Sequence, residues 1–89
     1  MSINSYKDLL IWQKGIRIVI LVYKLVKNFP EDERFALTSQ LKRASVSIPV
    51  NIAEGAARKS PKEFRQFLYI SLGSLSELDT KFKDEKLLT

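Results

Sequence analysis

Few residues of this 89-residue chain could support catalysis. It contains no cysteine and no histidine, which excludes disulfides, thiolate and imidazole metal sites, and the commonest general base. Ser45 and Ser47, close in sequence to Arg43 and Glu54, are the remaining clustered candidates for nucleophilic chemistry. The three glycines form no phosphate-binding loop and no dinucleotide fingerprint. We therefore expect no enzymatic activity, no metal and no cofactor; a hydrolase that uses Ser47 is a remote alternative.

The composition instead favours contact with a polyanion. Fifteen Lys and Arg outnumber ten Asp and Glu, which gives a net charge of +5 and a pI near 9.6. Residues 1–30 hold five bases and one acid, residues 31–58 hold four of each, and residues 59–89 hold six bases and five acids. The excess charge therefore lies mainly in the N-terminal third.

The candidate nucleic-acid-binding residues follow from this distribution. No helix-turn-helix and no aromatic RNA-recognition motif is apparent, so we expect contacts to phosphates, which position a protein but read little sequence. The candidates lie in the first predicted helix and around the turn between the second and third: Lys7, Lys14, Arg17, Lys24, Lys27, Arg58, Lys59, Lys62 and Arg65.

The first predicted helix spans residues 6–28. It begins at the Ser5-x-x-Asp8 capping pattern and ends before Pro30. Its polar side chains form one narrow stripe, and the rest of its surface is apolar. A helix of a three-helix monomer needs only about 100° of apolar surface. We therefore expect the surplus to be buried against another subunit.

The second predicted helix, residues 33–58, contains Pro49, which predicts a kink. Its many alanines and serines would let neighbouring helices approach closely. Polar side chains recur every three or four residues along one face, and Arg43, Asn51 and Glu54 are candidates for hydrogen bonds across helices or subunits. The alternative is a solvated face with an ordinary Glu54–Arg58 pair.

The third predicted helix spans residues 61–83. Ser60 as the cap, Pro61 at the first helical position and Glu63 at the third form a strong start signal. Gly73 inside this helix predicts a close helix crossing. Residues 84–89 are a weakly patterned tail that we expect to fray. We interpret residues 1–89 as a single all-α domain.

No targeting segment is recognisable in the sequence. The N-terminus lacks the pattern of a signal peptide, and the apolar run at residues 16–23 is less than half the roughly 20 residues that cross a bilayer. We expect a cytoplasmic protein with no membrane partner.

Three segments resemble a known family. They are SYKDLLIWQKGI at 5–16, FPEDERFALTSQLKRASVSIPVNIAEGAARKS at 29–60 and KEFRQFLYISLGSLSELDT at 62–80. These strings are similar to the bacterial four-helix-bundle proteins encoded in intervening sequences of 23S ribosomal RNA genes, and residues 47–55 are the most specific part. The resemblance implies an all-α up-and-down bundle and a homo-oligomer, in particular a pentameric ring. It also implies kinship with the accessory protein of diversity-generating retroelements, a basic barrel that binds a reverse transcriptase and nucleic acid.

One departure from the family pattern bears on assembly. The resemblance implies a fourth helix beyond the position of Thr80, and we expect it to be short or missing here, either because this is a truncated member or because the helix has been lost. The apolar surface that a fourth helix would cover is then open, which favours association and raises a risk of aggregation. No catalytic residue is carried over by the resemblance.

We therefore expect a non-enzymatic homo-oligomer that binds RNA or DNA, or a nucleic-acid enzyme such as a reverse transcriptase, through a basic surface. The alternative is a structural or protein-interaction scaffold with no nucleic-acid role, in which the charge serves only solubility.

Overall fold

The chain folds into three long α-helices. The computed structural model describes residues 5–29 and 35–83, and no β-strand occurs in these ranges. A short 3₁₀ helix, Tyr6–Asp8, precedes α1 (Leu10–Val26), α2 (Phe35–Ala56) and α3 (Pro61–Phe82). α2 packs against both α1 and α3. The all-α helical bundle expected from the sequence is confirmed.

The beginning of α1 differs from the prediction. The helix begins at Leu10 rather than at residue 6, because Leu9 has an extended backbone with φ −75° and ψ 127°. Ser5 does cap a helix, but a 3₁₀ one: its Oγ accepts a hydrogen bond from the Lys7 backbone N–H at 3.2 Å. The same capping pattern thus starts a tighter and shorter turn.

The ends of α1 and α2 each come two residues before the predicted position. The N–H groups of Asn28 and Arg58 bond to carbonyls three residues back, at Leu25 and Gly55, so the last turn tightens instead of continuing as α-helix. α3 ends at Phe82, one residue before its predicted end. The predicted start of the second helix at residue 33 and the predicted tail at 84–89 lie outside the described residues.

Pro49 lies inside α2, which is continuous from Phe35 to Ala56. The proline is buried beneath α1, at the level of Gly15. A Cβ atom added to Gly15 would lie 3.4 Å from the Cβ of Pro49 and 3.4 Å from the Cγ2 of Ile48. α1 therefore lies directly on the proline segment of α2, and a methyl group at position 15 would make close van der Waals contact with that segment. The kink at Pro49 stays a prediction.

The core is centred on α2. Val22 and Val26 of α1 and Leu78 of α3 surround four buried residues of α2, which are Leu41, Ala44, Ile48 and Ile52. Phe29, which follows α1, and Phe82, at the end of α3, close one end of the bundle with their ring centroids 6.4 Å apart in an edge-to-face arrangement.

α2 and α3 run antiparallel and lie close together at Gly55. A Cβ atom added there would lie 2.7 Å from the Cβ of Phe67 and 2.9 Å from the Cδ1 of Phe64. The close crossing predicted at Gly73 is not found within the described chain, because a Cβ atom added to Gly73 would have no heavy atom within 4 Å. The helix contact thus depends on a glycine of α2 rather than on the glycine of α3.

In the described ranges, none of the helices combines the length and the apolar character that crossing a membrane requires.

Alanine substitutions at Gly55 and Gly73 should change the stability of the protein in opposite directions. Gly55→Ala would gain about 1 kcal/mol of helix propensity, but it forces a methyl group against the Phe67 Cβ, at an overpacking cost of about 1–3 kcal/mol. We expect Gly55→Ala to lower the free energy of unfolding. Gly73→Ala meets open space, so it should raise that free energy by up to about 1 kcal/mol.

Urea denaturation followed by circular dichroism measures both changes. A Gly55→Ala protein that is more stable than the wild type would contradict the packing described for α2 and α3.

Candidate nucleic-acid interface

All five cations predicted in the first helix are exposed, but Lys7 lies on the 3₁₀ helix, and the other four lie along α1 and its C-cap, Lys27. Gly15, Val22 and Val26 are buried on the side of α1 that faces α2, which leaves the basic stripe on the outside. With a rise of about 1.5 Å per residue, the stripe extends for roughly 20 Å along the helix. Among residues 5–29 and 35–83, no carboxylate lies within 4.0 Å of these cations. The stripe consists of Lys14, Arg17, Lys24 and Lys27.

The cations of the α2–α3 turn are exposed as well, but they are not equivalent. Arg58 lies with its guanidinium carbon 5.1 Å from the centre of the Phe67 ring and its Nη2 3.8 Å from the Glu54 Oε2. Lys59, Lys62 and Arg65 have no ion pair with a carboxylate in the described ranges.

The turn that holds these cations is shaped by its sequence. The Ser60 side chain accepts a hydrogen bond from the Glu63 N–H at 3.3 Å, and Pro61 occupies the start of α3. The predicted start of the third helix is therefore correct.

The antiparallel packing of α1 on α2 brings the N-terminal 3₁₀ helix to the α2–α3 turn. Tyr6 lines the same cavity as Lys59 and Arg65, about fifty residues further along the chain. Lys24 and Lys27 lie at the other end of α1. The structure therefore divides the predicted cations into a stripe on α1 and a basic group around the turn.

A cavity of about 950 Å³ lies between the 3₁₀ helix and the turn. Tyr6, Phe64 and Leu68 contribute apolar and aromatic surface, while Lys59 and Arg65 contribute charge. The Tyr6 ring is held by an edge-to-face contact with Trp12, with centroids 5.3 Å apart. Sequence reasoning missed this cavity because its residues are far apart in the chain; the aromatic residues Tyr6 and Phe64 beside the basic positions were the available signal.

The predicted polar contacts of α2 have three different environments. Asn51 donates to the backbone oxygen of Ser47 at 2.8 Å and to its Oγ at 3.0 Å, and the Oγ of Ser74 on α3 donates to the same Ser47 Oγ at 2.8 Å. Glu54 pairs with Arg58 of the following turn, with both side chains about half exposed, so that pair stabilises little. Arg43 is exposed and lines a smaller cavity of about 210 Å³ beside Ser47 and Ser74.

Asn51 thus joins a contact between α2 and α3 through Ser47, whereas the described ion pair of Glu54 is a local one with the turn that follows α2. Contacts of these residues with a second subunit stay a prediction. A further basic residue, Lys42, lies 5.1 Å from the centre of the Tyr23 ring and connects α2 to α1.

A second surface feature is apolar. On α1, Ile11, Leu21 and Leu25 are exposed on the side where Ile18 meets the core. These positions and Lys14 follow intervals of three and four residues, which are typical of a helix–helix seam. On α3, Leu72 and Leu75 are exposed on the side where Leu68 meets the core. We call this set of exposed residues the open apolar face: Ile11, Leu21, Leu25, Leu72 and Leu75. Its most exposed members, Leu21 and Leu72, are each 56% exposed.

The fold and these surfaces define a small, basic, all-α helical-bundle protein. Residues 7–83 match the family model described as 23S rRNA-intervening sequence protein. The match covers all three helices, and the chain belongs to this family, as its sequence resemblance indicates. The comparison with curated proteins found no match.

The buried contact between α2 and α3 leads to a prediction. Ser71 is buried, and its Oγ donates to the Ile48 backbone oxygen at 3.0 Å. Ser71→Ala removes this hydrogen bond and should lower the free energy of unfolding by about 1 kcal/mol. Ser76→Ala is the matched control, because the Ser76 hydroxyl bonds within α3 at an exposed position. Equal urea midpoints for both variants would show that the Ser71 bond contributes nothing.

Proposed function

We propose that this protein is a non-enzymatic homo-oligomer that binds RNA through its basic surface. The observation that carries the proposal is the exposed stripe of four cations on α1, which have no described carboxylate partner, together with the basic group at the α2–α3 turn. DNA, or a nucleic-acid enzyme such as a reverse transcriptase, would use the same surface.

The stripe suits a phosphate backbone better than a single anion. Its cations recur along roughly 20 Å of helix, a length over which a nucleic-acid strand presents several phosphates. Each contact would release condensed counterions, so the binding free energy would depend strongly on salt. Because the stripe offers only Lys and Arg, it would hold RNA with little preference for sequence.

Self-association is supported by the open apolar face. Scattered exposed apolar residues are common on proteins, and Leu10 and Ile20 of α1 are of this kind, but the members of the open apolar face follow one edge of α1 and one edge of α3, each beside a residue packed on the core. Burying them against further copies, with a pentamer as the proposed assembly, would repeat the basic stripe around the oligomer and raise its effective affinity for one strand.

The second candidate function is a scaffold that binds only proteins. The same open apolar face favours it, since apolar contacts need no nucleic acid. The two functions differ in what the cations of α1 do: under the scaffold function, reversing their charge leaves binding intact.

Charge reversal tests the RNA proposal. We expect the wild type to bind mixed RNA with an affinity that falls steeply between low and moderate salt. The double variant Arg17→Glu with Lys24→Glu, which leaves Lys14 beside the apolar edge unchanged, should bind at least about tenfold more weakly, and its salt slope should fall by roughly two, because two phosphate contacts are lost.

Fluorescence anisotropy with labelled RNA measures both quantities. The matched control is Lys81→Glu with Lys83→Glu, which changes the net charge equally at two lysines that already pair with Glu77 and Asp79. Wild-type affinity that does not respond to salt, or equal losses in the two double variants, would contradict binding through α1.

Light scattering tests the assembly. At micromolar concentration we expect a mass of more than one subunit, because the open apolar face is too extensive to remain in water. Leu21→Glu with Leu25→Glu should reduce that mass, since two charges would have to be buried. Ile70→Glu is the control, because Ile70 is exposed on α3 outside the open apolar face. A monomeric wild type would rule out the oligomer.

A further inference from the structure

The cavity between the 3₁₀ helix and the α2–α3 turn has the composition of a ligand site. Its volume of about 950 Å³ lies near the upper end of the range of about 300–1,000 Å³ in which small-molecule sites fall. Tyr6 and Phe64 line it with aromatic rings, and Lys59 and Arg65 line it with cations. A ligand that matches both parts has a flat aromatic portion and a negative charge.

Tyr6 is prepared for stacking. Its edge-to-face contact with Trp12 restrains the ring, yet 37% of the residue surface is exposed. The other aromatic ring that lines the cavity belongs to Phe64, which lies on the first turn of α3 and is partly buried. Held aromatic rings of this kind lose little conformational entropy when a base stacks on them.

The cations that line the cavity differ in whether they already have interaction partners. Arg58 lies over the Phe67 ring and forms an ion pair with Glu54. Lys59 and Arg65 are exposed and have no ion pair in the described part of the chain, so they can contact a phosphate without giving up a partner. Stacking rings combined with cations is the arrangement that proteins use for unpaired nucleotides.

We propose that this cavity takes one unpaired nucleotide of an RNA strand, with the base against Tyr6 and Phe64 and the phosphate beside Lys59 and Arg65. The inference rests on the proposed RNA binding and adds a preference to it. The stripe on α1 would hold any phosphate backbone, whereas the cavity would favour strands with a base free to leave the stack.

The test compares an unstructured RNA of twelve nucleotides with a twelve-base-pair RNA duplex, both measured by fluorescence anisotropy. Tyr6→Ala should lower the ratio of unpaired to paired affinity by about tenfold, the effect of losing one stacked base. Tyr6→Phe keeps the ring and should retain the wild-type ratio. Tyr69→Ala removes an exposed tyrosine of α3 that does not line the cavity, and it should also retain the ratio.

A fold defect is distinguished by circular dichroism and by a second variant, Lys59→Gln with Arg65→Gln, which leaves both rings in place and should weaken the binding of the unpaired RNA. If the wild type binds neither RNA, the proposed function itself fails. If it binds both and no cavity variant changes the ratio, the inference about the cavity is overturned while RNA binding stands.

A free nucleotide would present the same base and phosphate to the cavity as a nucleotide of an RNA strand. Isothermal titration calorimetry with AMP distinguishes these two ligands. Saturable AMP binding that Tyr6→Ala abolishes, with an unchanged RNA ratio, would assign the cavity to a free nucleotide and overturn the RNA assignment. Binding of an acidic peptide at the cavity, without any effect of Tyr6→Ala on RNA, would overturn it as well.

Discussion

The close approach of α2 to both of its neighbours is the constraint on which the rest of the structure depends. The approach to α3 requires Gly55 of α2, because a Cβ atom there would lie 2.7 Å from the Cβ of Phe67. On the other side of α2, Gly15 of α1 lies on Pro49, with space that a methyl group would fill in close van der Waals contact. The packing of α1 and α3 on α2 decides which faces of these helices turn outward, and so it places the basic stripe, the cavity and the open apolar face.

Local patterns were sufficient to predict the helices and their exposed charges. The Ser60-Pro61 start of α3 needs only neighbouring residues, and its cap bond forms as expected. The stripe on α1 follows from the spacing of its cations along one helix. The ends of α1 and α2 were less predictable, because i to i−3 hydrogen bonds finish these helices and no residue type marks that choice.

The features that depend on contacts between helices could not be predicted from the sequence. Both Gly55 and Gly73 are glycines inside a predicted helix, and the sequence does not distinguish them. In the structure Gly55 packs against Phe67, whereas Gly73 is exposed. Tyr6 and Arg65 line the same cavity. They come together only because α1 and α2 run antiparallel, which brings the α2–α3 turn beside the N-terminal 3₁₀ helix. The bond between Ser47 and Ser74 likewise depends on which side chains face each other across α2 and α3.

The contact at Gly55 also restricts how the α2–α3 hairpin can assemble during folding. Sliding one helix past the other by a single turn, about 5.4 Å, would replace Gly55 with a residue such as Asn51 or Ile52. The space beside Phe67 does not admit even a methyl group without movement, so a hairpin in a slipped register is sterically rejected. Gly55 therefore selects one helix register among the several that an apolar face recurring every three or four residues would allow. This selection lowers the number of competing compact states.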